Sequence, residues 1–452
     1  MKSIKAFMVA ATRSGAGKTT LTIGMLAALT RRGLKVQPFK CGPDFIDPTL
    51  HTLVTGRSSY NLDLKMMGET GCRTTFYRHA ESADVSVVEG VMGLYDGGSA
   101  STAALAKLLS IPVVLIVDAQ SSAESCVAVL KGFQEYDSEL QVCGVIFNRI
   151  GSIRHQQLIA DEVSRMADIP VIGYMPRDAH FEIPERHLGL HMGGENPLSD
   201  TALDRLLDSI EHHLDMDSLL ANEIKAVSTL SQGQSKAAKP VISPKLDLAV
   251  AVDRAFSFYY KENFELLENA GFRLRPFSPL HDNSIPRSCS LVYFGGGYPE
   301  LFAAQLSANR AMLDSIKDMH EHGVTLYGEC GGFMYLCKQL IDMDGREHRM
   351  ADIFPFTTVM NKRLRTLGYR SVRLLKDSFF GSSGDRLHGH EFHYSHLQED
   401  YSGTAKNLPC RLYRLDDDSP EGYRCGSAFG SYIHLHFGRN PETADYMYKQ
   451  LL

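Results

Sequence analysis

The first half of the chain alternates short apolar runs with amphipathic stretches. "AFMVAAT" (6–12), "VSVVEGVMG" (85–93), "IPVVLIVDA" (111–119), "VCGVIFNRI" (142–150) and "IPVIGYMPR" (169–177) are apolar at successive positions rather than at every second one. A strand buried on one face alternates; one buried on both faces does not, so these runs predict interior strands. Helix-periodic or polar segments separate them, the clearest being "KTTLTIGMLAALTRRG" (18–33), a helix closed by Gly33. Strands and helices in this alternation predict a doubly wound parallel sheet.

The rhythm stops at "ANEIKAVSTLSQGQSKAAKPVISPK" (221–245), which is small, polar and aperiodic and reads as a linker. It restarts with "KLDLAVAVD" (245–253), "SLVYFGGG" (290–297), "GVTLYGEC" (323–330), "GDRLHGHEFHYS" (384–395) and "SAFGSYIHLHF" (427–437). The expected organisation is an α/β domain over 1–222, a linker over 223–244 and a second α/β domain over 245–452. No internal repeat is visible.

A length of 452 residues accommodates two such domains, and 44% hydrophobic with 22% charged residues is ordinary globular composition. The net charge of −6, with no basic block, excludes a general nucleic-acid binder. Nine cysteines without a CxxC pair suit core thiols in a reducing cytosol. The start "MKSIKAFMVAATRSGAGK" has the charge and apolar run of a signal peptide, but the run is short and leads into a glycine-rich loop. No apolar run reaches bilayer length. The expectation is a cytoplasmic protein without a membrane or nucleic-acid partner.

Two segments carry candidate chemistry. "ATRSGAGKTT" (11–20) joins the first strand to the first helix and is a degenerate form of G-x-x-x-x-G-K-S/T, with Thr12 at the first glycine position. Ser14, Gly15, Ala16 and Gly17 can turn backbone N–H groups onto phosphate, Lys18 can neutralise the β/γ oxygens, and Thr19 can hold Mg²⁺. Glu89, Asp96 and Asp118 are candidate carboxylates at strand ends for that ion, with Glu89 preferred because a glycine follows it. Lys40, Asp44 and Asp47 in "FKCGPDFIDP" can flank the γ-phosphate or simply hold an Asx turn. Asn148, at another strand end, can read a base edge.

The second segment is "TLYGECGGFMYL" (325–336). A cysteine between a strand and a helix, followed by Gly331 and Gly332, has the form of a nucleophile elbow, and the helix N-terminus is expected to lower the Cys330 pKa. Gly295, Gly296 and Gly297 can complete an oxyanion hole with the N–H of Gly331. His434 and His436, two apart on one strand face, are candidate bases for the thiol. "HGHEFHYSH" holds His388, His390, Glu391, His393 and His396, but strand alternation sends them to opposite faces, which disfavours one metal and favours a substrate-facing strand.

With these residues in hand, the chain resembles the cobyrinate a,c-diamide synthase family over essentially its whole length. The carrying motifs are "SGAGKTT", "KCGPDFIDP", "NLD" (61–63), "VVEGVMGLYDG", "PERHLGL" (184–190), "FSPLHD" (277–282), "GGGYPEL", "GECGGFMYL", "GHEFHYS" and "SYIHLHF", in this order. The resemblance implies an N-terminal P-loop domain of the dethiobiotin-synthetase type and a C-terminal class I, triad-type glutamine amidotransferase domain. It implies ATP- and glutamine-dependent amidation of the a- and c-acetate carboxylates of cobyrinate through acyl phosphates, in cobalamin biosynthesis. By motif match Cys330 is the nucleophile and His434 its base, while His436 stands where related amidotransferases carry a glutamate. Ser14 to Thr20, with Asn148 beside the adenine, would bind ATP, Thr19 and Glu89 would serve Mg²⁺, and Lys40, Asp44 and Asp47 would line the phosphoryl and substrate site.

Ammonia made at Cys330 would reach the acyl phosphate through an enclosed passage, which spares it protonation. Two departures are Arg13, at the signature-lysine position of partitioning-type ATPases, and Lys65, placed to meet substrate carboxylates. Nickel-sirohydrochlorin or hydrogenobyrinate are competing substrates for the same chemistry. A P-loop ATPase switch with an inactive amidotransferase-like domain is the competing class. Partners are small molecules, and a homodimer is allowed.

Overall fold

The run read as the first strand is β1, Ser3–Ala11. Its Ala6, Met8 and Ala10 enter one apolar core, while Phe7, Val9 and Ala11 enter another, which is why the run lacks polar alternation. β2 (Val36–Cys41), β3 (Tyr60–Leu62), β4 (Val85–Glu89), β5 (Val113–Asp118), β6 (Val142–Ile150) and β7 (Val171–Pro176) join it in the order β3-β2-β4-β1-β5-β6-β7. All these neighbours are parallel. The chain builds β2–β4 on one side of β1 and β5–β7 on the other. The carboxyl end of β1 is therefore the switch point at which such sheets bind ligands.

The computed structural model describes residues 3–178, 200–221, 223–225, 245–399 and 409–452. "PERHLGL" and most of the expected linker lie outside the described residues. The chain divides into two compact units, Met1–Gln234 and Ser235–Leu452. The linker does not begin at 223. Residues Glu223–Lys225 form β8, antiparallel to the start of β1, with Ser3 opposite Lys225.

The second unit is also α/β, but its sheet is mixed. β9 (Leu246–Ala251), β10 (Phe272–Phe277), β11 (Leu291–Phe294) and β12 (Thr325–Glu329) are parallel neighbours in the order β10-β9-β11-β12. A smaller sheet holds β13 (Cys337–Ile341), β14 (Glu347–Arg349), β15 (Phe354–Met360) and β18 (Ser395–Glu399). The main sheet continues beyond β12 with β21, β20, β19, β16, β17 and β22. These are β16 (Thr366–Leu374), β17 (Arg386–His393), β19 (Cys410–Leu415), β20 (Pro420–Cys425), β21 (Ala428–Ser431) and β22 (Ile433–His436).

The expected single strand over 427–437 is thus two. β21 runs parallel to β12, and after Tyr432 the chain turns into β22, antiparallel to β17. Side chains satisfy the backbone at this corner: Glu421 accepts from Ser431 Oγ–H (2.6 Å) and Tyr432 N–H (3.2 Å), and Ser431 Oγ accepts from Ile433 N–H (3.0 Å). Without such partners a buried strand break would strand polar groups. Among the described residues no helix is long and apolar enough to cross a membrane.

Candidate active sites

At the end of β1, Gly17 has φ +90°, and a Cβ there would lie 2.3 Å from Asn148 Nδ2, so only glycine fits. Helix Lys18–Arg31 starts at the next residue, with Thr20 in its first turn. Lys18 Nζ donates to Met92 O (3.0 Å), and Thr19 Oγ1–H donates to Glu89 Oε1 (2.7 Å). Burial, then the neighbouring Lys40 ammonium, lower the Lys18 pKa. Asn148 Nδ2–H donates to Ala16 O (2.9 Å) and its Oδ1 accepts from Arg149 N–H (2.9 Å). One Nδ2–H remains for a base, so the first duty of Asn148 is to brace the loop.

Of the three carboxylates offered for the ion, only Glu89 meets Thr19. Asp118 is held by Arg13 (2.5 Å) and Arg149 (2.7 Å), which corrects it from ion ligand to loop anchor and gives Arg13 a structural partner. Asp96 Oδ2 accepts from Gly93 N–H (3.0 Å) in its own turn. Glu89 is itself wholly buried and already occupied: Oε1 also takes Lys40 Nζ (3.0 Å), and Oε2 faces His51 Nε2 (2.7 Å). Burial opposes its ionisation, but Lys40, His51 and Lys18 outweigh that and hold its pKa well below the ordinary value. The donor set fits Mg²⁺: the Thr19 oxygen would be its ligand, and Glu89, which accepts from the Thr19 hydroxyl, would orient that ligand from behind.

Lys40 and Asp47 depart from the expected phosphate-facing roles. Their Nζ and Oδ2 pair at 2.6 Å with both side chains buried, and Lys40 also donates to Gly90 O (3.1 Å). Burial alone would lower the Lys40 pKa; Asp47 and Glu89 reverse that and hold the ammonium charged. Asp44 Oδ1 accepts from Ile46 N–H (2.8 Å) and Asp47 N–H (3.0 Å), the Asx turn that starts helix Ile46–Thr55. Lys65 is exposed, and its N–H donates to Asp63 Oδ1 (2.8 Å).

In the second unit Cys330 sits between β12 and helix Gly331–Leu336 with φ +45° and ψ −105°. That conformation costs a non-glycine residue on the order of 1–3 kcal/mol. The surroundings fix it: Cys330 N–H donates to Ser431 O (2.7 Å), and Met334 N–H to Cys330 O (2.9 Å). The glycines permit close backbone approach. A Cβ on Gly332 would lie 2.1 Å from Phe294 O, and one on Gly331 would lie 3.0 Å from Gly297 N. The Gly297 backbone thus lies against Gly331, whose N–H faces the sulfur. A Cβ on Gly296 would lie 2.2 Å from His434 Cε1, so the imidazole packs on the same loop.

The expected low thiol pKa is overturned. Burial pushes the Cys330 thiol well above its ordinary value, Glu300 adds to that, and the Gly331 N–H opposes it. The helix is only six residues long, so its dipole is outweighed. The thiol donates to Phe392 O (3.7 Å). His434 is buried, and burial, then His390 and His393, push its pKa down to about 3, so its imidazole is neutral at neutral pH. His436 does not partner it: its Nδ1 accepts from Gly438 N–H (3.0 Å) and its ring lies on Tyr260.

Curated relatives decide what this pair of sites belongs to. The chain is similar to the cobyrinate a,c-diamide synthase of Caldanaerobacter subterraneus subsp. tengcongensis, 41% identical over 440 residues covering 96% of this chain and 95% of that one. That of Listeria innocua is 42% identical over 441 residues, covering 96% of each. That of Salmonella typhimurium is 40% identical over 443, covering 97% and 96%. The chain belongs to the cobyrinate a,c-diamide synthase family. Family profiles divide it accordingly: a CobQ/CobB/MinD/ParA nucleotide binding domain matches residues 7–190, and a CobB/CobQ-like glutamine amidotransferase domain matches 247–442. It is a glutamine-hydrolysing carbon–nitrogen ligase with an ATP-binding unit.

In this family member the histidine-rich strand is wired to its neighbours. His393 Nε2 faces Glu391 Oε1 (2.8 Å), its Nδ1 faces Ser395 O (2.7 Å), and its ring stacks on Tyr432. Arg370 Nε–H donates to the other Glu391 oxygen (2.6 Å). His390 meets the edge of Tyr369, His396 Nδ1 takes Asn361 Nδ2 (3.0 Å), and His388 lies by Arg439. His51 and the tyrosines around Glu329 hold candidate site carboxylates and are not marked by any motif. His51 had a signal: it is four residues after Asp47 on one helix, so both face Glu89 and Lys40.

Proposed function

We propose that this chain amidates the a- and c-acetate carboxylates of cobyrinate with ATP and glutamine, giving cobyrinate a,c-diamide. The observation that carries the reading is near-end-to-end identity of about two residues in five with synthases of that name. A carboxylate is a poor acyl donor because its oxygen is a poor leaving group. Transfer of the γ-phosphoryl group to it gives an acyl phosphate and ADP; attack by ammonia then gives the amide and phosphate. Lys18 and the loop Ser14–Gly17 hold the phosphates, and Thr19, backed by Glu89, would hold Mg²⁺, which when bound would supply charge neutralisation at the transferring oxygens. The buried Lys40–Asp47 pair fixes Glu89 in place.

Ammonia comes from glutamine at Cys330. His434 takes the thiol proton as sulfur bonds to the amide carbon, and the oxyanion forms against the Gly297 and Gly331 N–H groups. The proton then leaves with ammonia, and water hydrolyses the thioester with His434 again as base. The test is mass spectrometry of products with ATP, Mg²⁺ and glutamine, offering cobyrinate and nickel-sirohydrochlorin in parallel. Two amidations of cobyrinate alone are expected; two on the nickel compound alone would move the substrate, and ATP hydrolysis without any amide would sink the ligase reading. Cys330→Ser should lose glutamine-driven but keep ammonia-driven amidation, and Lys18→Ala should lose both.

A further inference from the structure

Residue 436, where the resemblance implies a glutamate in related amidotransferases, is an imidazole whose Nδ1 accepts from Gly438 N–H, which leaves that place without a carboxylate. The residue immediately before the nucleophile stands in that gap. We propose that Glu329 is the carboxylate that orients His434 and balances its charge when the imidazole takes the Cys330 proton. This deepens the glutaminase half of the proposed function and rests on Cys330 being the nucleophile.

The geometry is specific. Glu329 is buried, and its Oε2 lies 4.0 Å from His434 Nδ1. Three donors hold the carboxylate: Oε1 accepts from Tyr327 O–H and from Leu435 N–H (3.1 Å), and Oε2 accepts from Tyr293 O–H (2.7 Å). The two tyrosine rings stack at 4.8 Å, so the donors are themselves fixed. Oε2 therefore keeps lone-pair capacity on the side of His434. The donor Leu435 is on the same strand as His434 and next to it, which ties the carboxylate to the base by backbone. A gap of 4.0 Å is longer than a hydrogen bond, as substrate-free catalytic pairs commonly are.

The chemistry follows. Nδ1–H directed at Glu329 leaves Nε2 as the acceptor for the thiol proton. As the sulfur–carbon bond forms, that proton moves to Nε2, and the imidazolium faces a carboxylate instead of apolar burial. The base needs such help, because burial and the nearby His390 and His393 disfavour its charged form. Glu329 is pushed up to about 7 by burial, against the pull of Tyr327, Tyr293 and the Leu435 N–H. The other groups facing it are Tyr259 and Tyr413, both raised by burial and neutral, and Cys330 on its own turn. Ionised Glu329 is the active form, so activity falls as pH drops through its pKa.

The experiment measures glutamate release from glutamine, as kcat and KM across pH, in the full chain and in Glu329→Gln, Glu329→Asp, Tyr327→Phe and Cys330→Ala. Glu329→Gln should lower kcat by about 10²–10⁴-fold with KM changed less than about threefold, and Glu329→Asp should recover part of that loss. Tyr327→Phe keeps the carboxylate but removes a donor to its ionised form, so the acid limb should move up by about one pH unit. This variant carries the test if Glu329→Gln does not fold. Wild-type kcat in Glu329→Gln, or an unmoved acid limb in Tyr327→Phe, overturns the assignment. Unimpaired hydrolysis by Cys330→Ala would instead remove the nucleophile on which it rests.

Discussion

Gly296→Ala should disable glutamine hydrolysis through one contact. The added Cβ would lie 2.2 Å from His434 Cε1 and 3.1 Å from both ring nitrogens, whereas ordinary contact begins at 3.4 Å. One side must yield by about 1.2 Å. The loop is the stiffer side: Gly296 O accepts from Ser257 and Phe258 N–H (3.0 Å each), and Gly295 N–H donates to Tyr259 Oη (2.8 Å). The next residue is equally confined, since a Cβ on Gly297 would be 2.1 Å from Ala255 O. The imidazole therefore moves, and a displacement of about 1 Å in a catalytic group costs roughly 10²-fold, near 2.7 kcal/mol in the barrier. Overpacking should also lower global stability by about 1–3 kcal/mol. Steady-state glutamate release measures the first effect and thermal melting the second, with ammonia-driven amidation as a control for the other site. Hydrolysis within about threefold of the parent would refute the reasoning. It would mean either that the loop yields or that His434 is not the base.

Glu89→Gln removes the charge that Lys40 and His51 share, and should destabilise the protein by about 3 kcal/mol at neutral pH, read from urea midpoints. Because the folded Glu89 pKa lies below its unfolded value, its stabilisation is present above the unfolded pKa and is lost as pH falls through the folded one. The gap between parent and variant should therefore close only in acid well below the ordinary glutamate range; a gap that closes near neutrality would contradict this. Gly17→Ala meets Asn148 at 2.3 Å and a φ of +90°, and should weaken binding of a non-hydrolysable ATP analogue at least about tenfold by calorimetry. Unchanged affinity would move the nucleotide elsewhere. Iodoacetamide should alkylate Cys330 more slowly at neutral pH than it does a free cysteine, with the rate still rising at alkaline pH, since burial raises this thiol. A rate plateau near neutrality, followed by peptide mass spectrometry, would argue for a resident thiolate.

Local pattern carried much of this molecule. Interior strands betrayed themselves as unbroken apolar runs because both faces of β1 meet a core, and the two glycine-rich turns announced close approach, of Asn148 to Gly17 and of Phe294 to Gly332. Pattern did not carry charge pairing across the fold. Asp118 reads as a strand-end carboxylate free for an ion, yet Arg13 and Arg149, 105 and 31 residues distant, claim it. Lys40 and Asp47 read as a polar loop offered to phosphate, yet they bury against each other beneath Glu89. The corner at Tyr432 was equally hidden, because what permits it is Glu421 on a neighbouring strand rather than any turn residue.

The thiol shows the same division between local and global physics. A cysteine at a helix start predicts a thiolate from the local dipole; the fold supplies a six-residue helix and a buried thiol, and burial wins. A thiol held neutral by burial is not a nucleophile at rest. In the proposed mechanism, proton transfer from Cys330 to His434 then accompanies attack on the amide, and whatever stabilises the imidazolium at that moment governs the rate. The carboxylate placed to do so belongs to the residue next to the cysteine in sequence. Its direction toward His434, however, is set by β11 and β22, through Tyr293 and the Leu435 N–H.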